Sequence, residues 1–380
     1  MLTPDQIESL RIAFEQLSDP INDYLIKDIA RRISDAGQIT STAAYQMWRA
    51  RTLGTTQQRL ERELTKLLGI TQHETRDLLE QAAAECYGSD LKRLAPSGAV
   101  PFASNTIMQQ ITAAAVVLAQ DDLSNIVQST AMGFTLMSGE TVPISQAYFR
   151  ACDFAFLQVS TGAADYNTAT REATDKLSAG GVKTIDYITG VHTSLEAAVR
   201  RNIMGGLGLM QEQIEQQLHD DLGCNGWEIS AHANSAPDHE PIQGRQYSDE
   251  AYQSLNDSLV RRIGTLNCGH IAAPIILGVN SPQYTPAELQ KFREDNEKGV
   301  DYEGRHYTGY EATQRQRALE RSIRSNKRRM VAAREQGREE DLARLKSRQN
   351  VLLQRYNDFS KAAGLRAQEE RMFVSRVTKK

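Results

Sequence analysis

Apolar residues recur at helical spacing over most of the chain. Thr3 and Pro4 stand as an N-cap and first helical residue, with Ile7, Leu10, Ile12, Phe14 and Leu17 supplying apolar faces. Asp19-Pro20 predicts a break, and residues 21–33 repeat the spacing before Gly37. Ser41 predicts the cap of a longer helix through Met47, Trp48, Leu60, Leu64 and Leu67-Leu68, with Gly54 inside it and Gly69 at its end. Thr71 then opens another helix to about Cys86. Short loops between these elements predict antiparallel neighbours, so 1–90 reads as a helical docking module.

Residues 91–222 stay helical and become rich in Ala and Thr. The pattern predicts a strongly apolar helix over 106–119, a loop over 138–143 and a helix over 146–159. A further helix over 165–179 ends at Gly180-Gly181. A short strand over 183–188 follows, and Ser194 caps a helix to about 222. Gly205-Gly206-Leu207-Gly208 lies inside that last helix. It completes no G-x-G-x-x-G and follows no strand, so it predicts close helix packing rather than a dinucleotide site.

The texture changes over 223–309. Trp227-Glu228-Ile229-Ser230 alternates like a half-buried strand, residues 272–277 form a short apolar run, and prolines and glycines punctuate the rest. This predicts a small α+β module. From 310 to 380 the chain is helical again and divides at Gly337. Leu319, Ile323, Met330 and Ala333 on one side and Leu342, Leu345, Leu352, Tyr356 and Phe359 on the other are compatible with a heptad seam. Two helices of about 25 residues, each about 37 Å long, would form an antiparallel hairpin or pair with neighbouring chains. The fold class is therefore α+β and predominantly α-helical: a helical N-terminal region, a small His/Cys-containing module and a basic C-terminal hairpin.

Charge sharpens this picture. The 380 residues carry a net charge of −4, yet residues 305–380 hold 20 Lys/Arg against 9 Asp/Glu, leaving the rest strongly acidic. A basic tail on an acidic body raises nucleic acid as a partner, since each neutralised phosphate releases a counterion. Arg315, Arg317, Arg321, Arg324, Lys327, Arg328 and Arg329, together with Arg334, are expected on the outward faces of the hairpin. The competing reading makes them a solvated helix face. No stretch approaches the roughly 18 apolar residues of a spanning helix, and the first twenty residues lack a signal pattern. Cys86, Cys152, Cys224 and Cys268 are scattered without a C-x-x-C pair, which is usage of a reducing compartment. No membrane partner is expected.

Candidate chemistry concentrates in the 223–309 module, which holds His232, His239, His270 and His306 of the seven histidines. His232 and His239, followed by Asn267-Cys268-Gly269-His270, supply the ligand types of zinc without a standard finger spacing. They form a candidate zinc site or structural cluster of His232, His239, Cys268 and His270, and Gly269 would allow the turn that brings Cys268 and His270 to one ion. The other readings are hydrogen-bonded histidines in irregular loops, or a Cys268 nucleophile with His239 or His232 as base, with Asp238 and Glu240 placed to orient an imidazole.

The order of motifs resembles the phage minor capsid protein 2 family, itself similar to the Mu-type head morphogenesis proteins. The resemblance rests on His232-Ala233-Asn234-Ser235-Ala236-Pro237-Asp238-His239, Gln243-Gly244-Arg245-Gln246-Tyr247-Ser248, Asn267-Cys268-Gly269-His270 and Tyr302-Glu303-Gly304-Arg305-His306-Tyr307-Thr308. It continues from Tyr310 into Leu319-Glu320-Arg321-Ser322-Ile323-Arg324 and reaches upstream to Asp165-Tyr166-Asn167 and Asp186-Tyr187-Ile188, covering most of the chain. The chain departs from the pattern at Ala236, where the family tends to place Arg, at Ile242 in place of an aromatic, and at Gly269 in place of a frequent Arg. The resemblance implies a non-catalytic minor head protein of a tailed phage or prophage, associated with the portal protein and with capsid or scaffold components. It also implies roles in head assembly and in DNA packaging or ejection, with non-specific double-stranded DNA as a partner. The implied location is the virion interior near the portal vertex, and the bacterial host cytoplasm during assembly. The alternative is a nuclease or toxin-like hydrolase using the His/Cys module.

Overall fold

The computed structural model describes residues 4–54, 56–94, 100–128, 131–185, 191–264 and 268–374. Eight helices build the body: α1 (Pro4–Gln16), α2 (Asp19–Gln38), α3 (Thr42–Gly54), α4 (Thr56–Leu94), α5 (Thr106–Ile126), α6 (Ile144–Ser160), α7 (Tyr166–Gly180) and α8 (Leu195–Asp221). Their starts follow the polar residues that precede them. Asp165 accepts from the Thr168 amide and Ser194 from the Ala197 amide, satisfying donors that the first helical turn leaves open.

The early helices differ from the sequence expectation at Gly69: α4 runs through it without interruption, whereas residue 55, between α3 and α4, lies outside the described residues. Thr71 is no cap. It is buried mid-helix, and its hydroxyl donates to Leu67 O at 3.1 Å and to Leu17 O at 3.2 Å, tying α4 to the end of α1. The 138–143 stretch is also more ordered than a loop. It closes a hairpin between β1 (Met132–Thr135) and β2 (Thr141–Pro143), which joins β3 (Lys183–Ile185) and β4 (His192–Ser194) in an antiparallel sheet of order β2-β1-β3-β4. The predicted 183–188 strand is seen over 183–185; its remainder lies outside the described residues. In α8 an added Cβ at Gly205 would meet nothing within 4 Å, and one at Gly206 would lie 4.0 Å from the Ala119 Cβ of α5, an ordinary contact, so the approach of these helices does not require glycine at either position.

One hydrophobic cluster runs from Ile7 through Leu218 and also takes in Ile271, Val331 and Ala332. Residues 1–90 and 91–222 share this core. The next module consists of β5 (Gly226–Ile229), β6 (Gln246–Ser248), α9 (Asp249–Ser258), β7 (Ala272–Ile275) and α10 (Pro286–Lys298), followed by the hairpin β8 (Val300–Tyr302) and β9 (Arg305–Tyr307). β5 is the centre of an antiparallel sheet of order β6-β5-β7, and Trp227, Ile229, Ile263 and Ala272 make a small separate core.

α11 (Gly309–Glu335) and α12 (Glu339–Ala362) close on each other within one chain, turning at Gly337 with φ +65°. Leu319, Ile323, Tyr356 and Phe359 are buried along the seam. Asn326 fixes its register, donating to Leu345 O and Gln349 Oε1, both at 2.9 Å. The hairpin is laid along the body rather than projecting from it: α11 packs on α2 and α7, and Val331 and Ala332 enter the main core. Among the described residues, no helix is long and apolar enough to cross a membrane.

Candidate functional site

His239 sits in the turn after Pro237, and Cys268 and His270 sit just before β7. The fold brings these three together: His239 Nδ1 or Nε2, Cys268 Sγ and a His270 ring nitrogen all fall within 4.8 Å of one another. His239 and His270 are fully buried. His232 is adjacent, its ring 4.3 Å from that of His270, but its nitrogens face the carbonyls of Ala233 at 2.9 Å and Cys268 at 3.3 Å. Three of the four expected ligands thus converge, and the fourth packs against them. Gly269, with φ +80°, makes the turn that aims Cys268 and His270 the same way.

The hydrogen-bond network assigns the ring protons. His239 Nε2 lies 2.9 Å from the Arg261 carbonyl, which can only accept, so this nitrogen donates. Gln243 Oε1 accepts from the His232 amide at 3.1 Å and lies 3.1 Å from His270 Nε2, so His270 donates from Nε2 as well. In the neutral rings both Nδ1 atoms therefore carry lone pairs, and these face each other across 3.4 Å. Protonation does not relieve the conflict easily. Burial, and then the neighbouring His232 and His239, push the His270 imidazolium down to about 2, and burial also lowers His239. Cys268 Sγ meanwhile accepts from the amides of Gly264 at 3.1 Å and His270 at 3.4 Å, and lies 3.5 Å from the His270 carbonyl oxygen. Two neutral imidazoles held by their far nitrogens, and a sulfur receiving backbone N–H groups, are a donor set that fits a zinc-like cation.

The basic residues of α11 lie differently from expectation. Of the eight, Arg315, Arg321 and Arg334 are exposed as expected, and the other five are not. Arg317 pairs with Glu8 at 2.6 Å and Glu320 at 3.2 Å, and Arg324 with Glu15 at 3.4 Å. Lys327 donates to Met372 O at 2.7 Å, Arg328 is buried against Glu196, and Arg329 grips both oxygens of Asp175. The outward basic face expected of α11 is corrected accordingly. Acids on α1, α7 and α8 draw the guanidinium groups inward, because each side neutralises a charge the other must bury. Burial pushes the Arg328 guanidinium down to about 10, against the opposing pull of Asp19. Burial alone would raise Glu8, but Arg371, Arg317 and Arg11 outweigh it and hold the carboxyl below its ordinary value. No role for Glu8 or Glu15 was evident in the sequence; the segregation of acidic body from basic tail was the signal that pointed to them.

The outward basic groups include Arg315, Arg321 and Arg334 of α11 and Arg344, Lys346, Arg348 and Arg355 of α12. Arg321 and Arg348 line one surface depression together with Arg329, whose guanidinium is paired to Asp175.

A helical body tied to its C-terminal hairpin by ion pairs, with one compact His/Cys module between them in sequence, makes a predominantly helical α+β protein. The chain belongs to the phage minor capsid protein 2 family, which matches it over residues 2–359, nearly its whole length. It is thus a member of a bacteriophage structural family of the virion. No curated protein and no solved structure matches it.

Proposed function

We propose that this minor capsid protein sits at the portal vertex, acts non-catalytically in head assembly, and handles DNA during packaging or ejection. Family membership supports a place among capsid components. The observation that carries the DNA role is the residual outward charge: Arg321 and Arg348 stand together across the hairpin, with Arg355 seven residues further along the same flank of α12. Such a stripe would meet phosphates without reading bases. Reversing Arg321, Arg348 and Arg355 to Glu should lower duplex affinity and reduce the slope of log K against log salt by roughly 3, about one unit per lost phosphate contact. An unchanged slope refutes the assignment of DNA contact to this stripe. For the portal, the full chain is expected to co-migrate with the portal protein of the same phage. Heads that assemble, fill and eject normally without this chain would overturn the wider reading.

Zinc belongs to the same proposal, with His239, Cys268 and His270 as its ligands and His232 as a packing neighbour. It would cross-link the Pro237 turn to the strand β7, much as a disulfide does in an oxidising compartment. A second reading, hydrolysis, is favoured by one observation: Cys268 also borders a large charged cavity, and three protein ligands leave a coordination position open. A phosphodiester reporter turned over by the wild type and not by His239→Ala, with folding retained, would establish it.

A further inference from the structure

α1, α8, α11 and the short turn Glu369–Met372 meet the His/Cys module around a cavity of about 800 Å3. Its charges do not balance. Glu8 receives Arg317 at 2.6 Å and Arg11 at 3.6 Å, and also Arg371. Glu15 receives Arg200 at 3.2 Å, Arg371 at 3.3 Å and Arg324 at 3.4 Å. Glu320 serves Arg317 alone among these arginines. Five guanidinium groups therefore share Glu8, Glu15 and Glu320; with Arg261, Arg321, Asp5 and Glu196, which also line the cavity, seven arginines face five carboxylates, and arginine does not relieve the excess by losing its proton.

The donors show where the excess lies. Arg11 Nε and Nη2, and the Nε atoms of Arg200, Arg324 and Arg371, are buried with no hydrogen-bond partner among the described residues. All four side chains line the same cavity. Buried donors of this kind are rarely left unpaired in a folded protein. The wall opposite Arg11 is kept bare: a Cβ on Gly269 would lie 3.5 Å from Arg11 Nη2 and 3.0 Å from His232 Nε2.

We propose that this cavity is an oxyanion site that takes a phosphate group, held by Arg11, Arg200, Arg324 and Arg371. A carboxylate offers two oxygens and one charge, whereas a phosphate presents three or four oxygens and near two charges, matching both the excess and the several separate donors. The phosphate could come from free inorganic phosphate or from a nucleic-acid end, and the test separates these sources.

The full-length protein is titrated calorimetrically with inorganic phosphate and pyrophosphate at matched ionic strength, then with a short oligonucleotide bearing a 5′-phosphate or a 5′-hydroxyl. Saturable phosphate binding is expected, weakened tenfold or more in Arg11→Met. Arg11 makes only one long ion pair, so its removal should leave the anion-free melting temperature near that of the wild type. Arg324→Gln removes a second donor to the same cavity and should weaken binding likewise, so the outcome does not depend on one variant folding. Tighter binding of the 5′-phosphorylated oligonucleotide identifies a nucleic-acid end as the source; equal binding of both ends identifies free phosphate. Absence of saturable binding, or wild-type affinity in both folded variants, overturns the proposal.

Discussion

The most exacting consequence of the inward-facing hairpin concerns Arg328 and Glu196. Arg328 is 6% exposed and Glu196 2% exposed, and they face each other between α11 and the first turn of α8. Removing one partner leaves the other charged in a medium where water cannot reach it, which costs about 3–5 kcal/mol. That is a large share of the roughly 5–15 kcal/mol that holds a typical fold. The two single variants should not cost the same. Asp19 also lies close enough to act on the Arg328 guanidinium, so Glu196→Gln leaves Arg328 a second anion. Arg328→Met strands Glu196 and Asp19 together, and should be the more damaging. Replacing both partners by apolar residues, Arg328→Met with Glu196→Leu, should recover most of the loss, because neither desolvation cost is then incurred. Urea unfolding reads these differences. A Trp227→Phe background makes Trp48 of α3 the tryptophan reporter, so the signal follows the body rather than the small module. A cost below about 1 kcal/mol for Arg328→Met, the value of an exposed pair, would refute the lock.

Asp19 gives a pH signature of its own. Burial pushes its carboxyl up to about 7, partly opposed by Arg328 and Arg324, against an ordinary value near 4 when unfolded. Because the folded pKa is raised, the protonated form favours folding: the stability is complete below about pH 4 and is lost as pH rises through about 7. Asp19→Asn should flatten that decline, by on the order of 2–4 kcal/mol between pH 4 and 8, in urea midpoints across the range. Elemental mass spectrometry of chelator-free protein should find about one zinc per chain, lost in His239→Ala and in Cys268→Ser but kept in His232→Ala. Gly337→Ala, forced into φ +65°, should destabilise the hairpin by about 1 kcal/mol in thermal unfolding while leaving the metal content unchanged.

What the sequence made legible was local. The helix start at Asp165, the Ser194 cap, the seam from Leu319 to Phe359, and the turn at Gly337 act over a few residues, and the fold realises each of them. Gly69 shows the limit of that reasoning. Glycine is a poor helix former, so local propensity favours an end there. The helix continues instead, and Thr71 two positions on reaches Leu17, more than fifty positions away, a contact that no local window contains. The His/Cys cluster was legible for the same local reason: Cys268 and His270 are two residues apart and His239 follows a proline turn. Excluding His232 required carbonyl positions that only the fold supplies.

Charge was the harder case, because the composition was read correctly and its meaning was not. A surplus of arginine over 305–380 reads as a surface waiting for an external polyanion, since Arg and Lys ordinarily stay in water. The body's compensating deficit carried the information that reversed this. Glu8, Glu15, Asp175 and Glu196 are spread over nearly two hundred residues, and no window of sequence shows them as one counter-surface. Once the hairpin lies along α2 and α7, they become that surface and take in Arg317, Arg324, Arg328 and Arg329, whereas Arg315, Arg321, Arg334, Arg344, Lys346, Arg348 and Arg355 stay exposed. The charge is thus divided between an outward set that includes Arg321 and Arg348 and an unbalanced cavity around Arg11. The two make separable demands. Contacts on the outward stripe should weaken steeply with salt, whereas a partly buried site around Arg11 is screened far less. A single salt titration of duplex DNA and of inorganic phosphate on the same protein should therefore give a steep slope for the first and a shallow one for the second. Equal slopes would mean that both anions are meeting one surface, and that the division of charge into stripe and cavity is wrong.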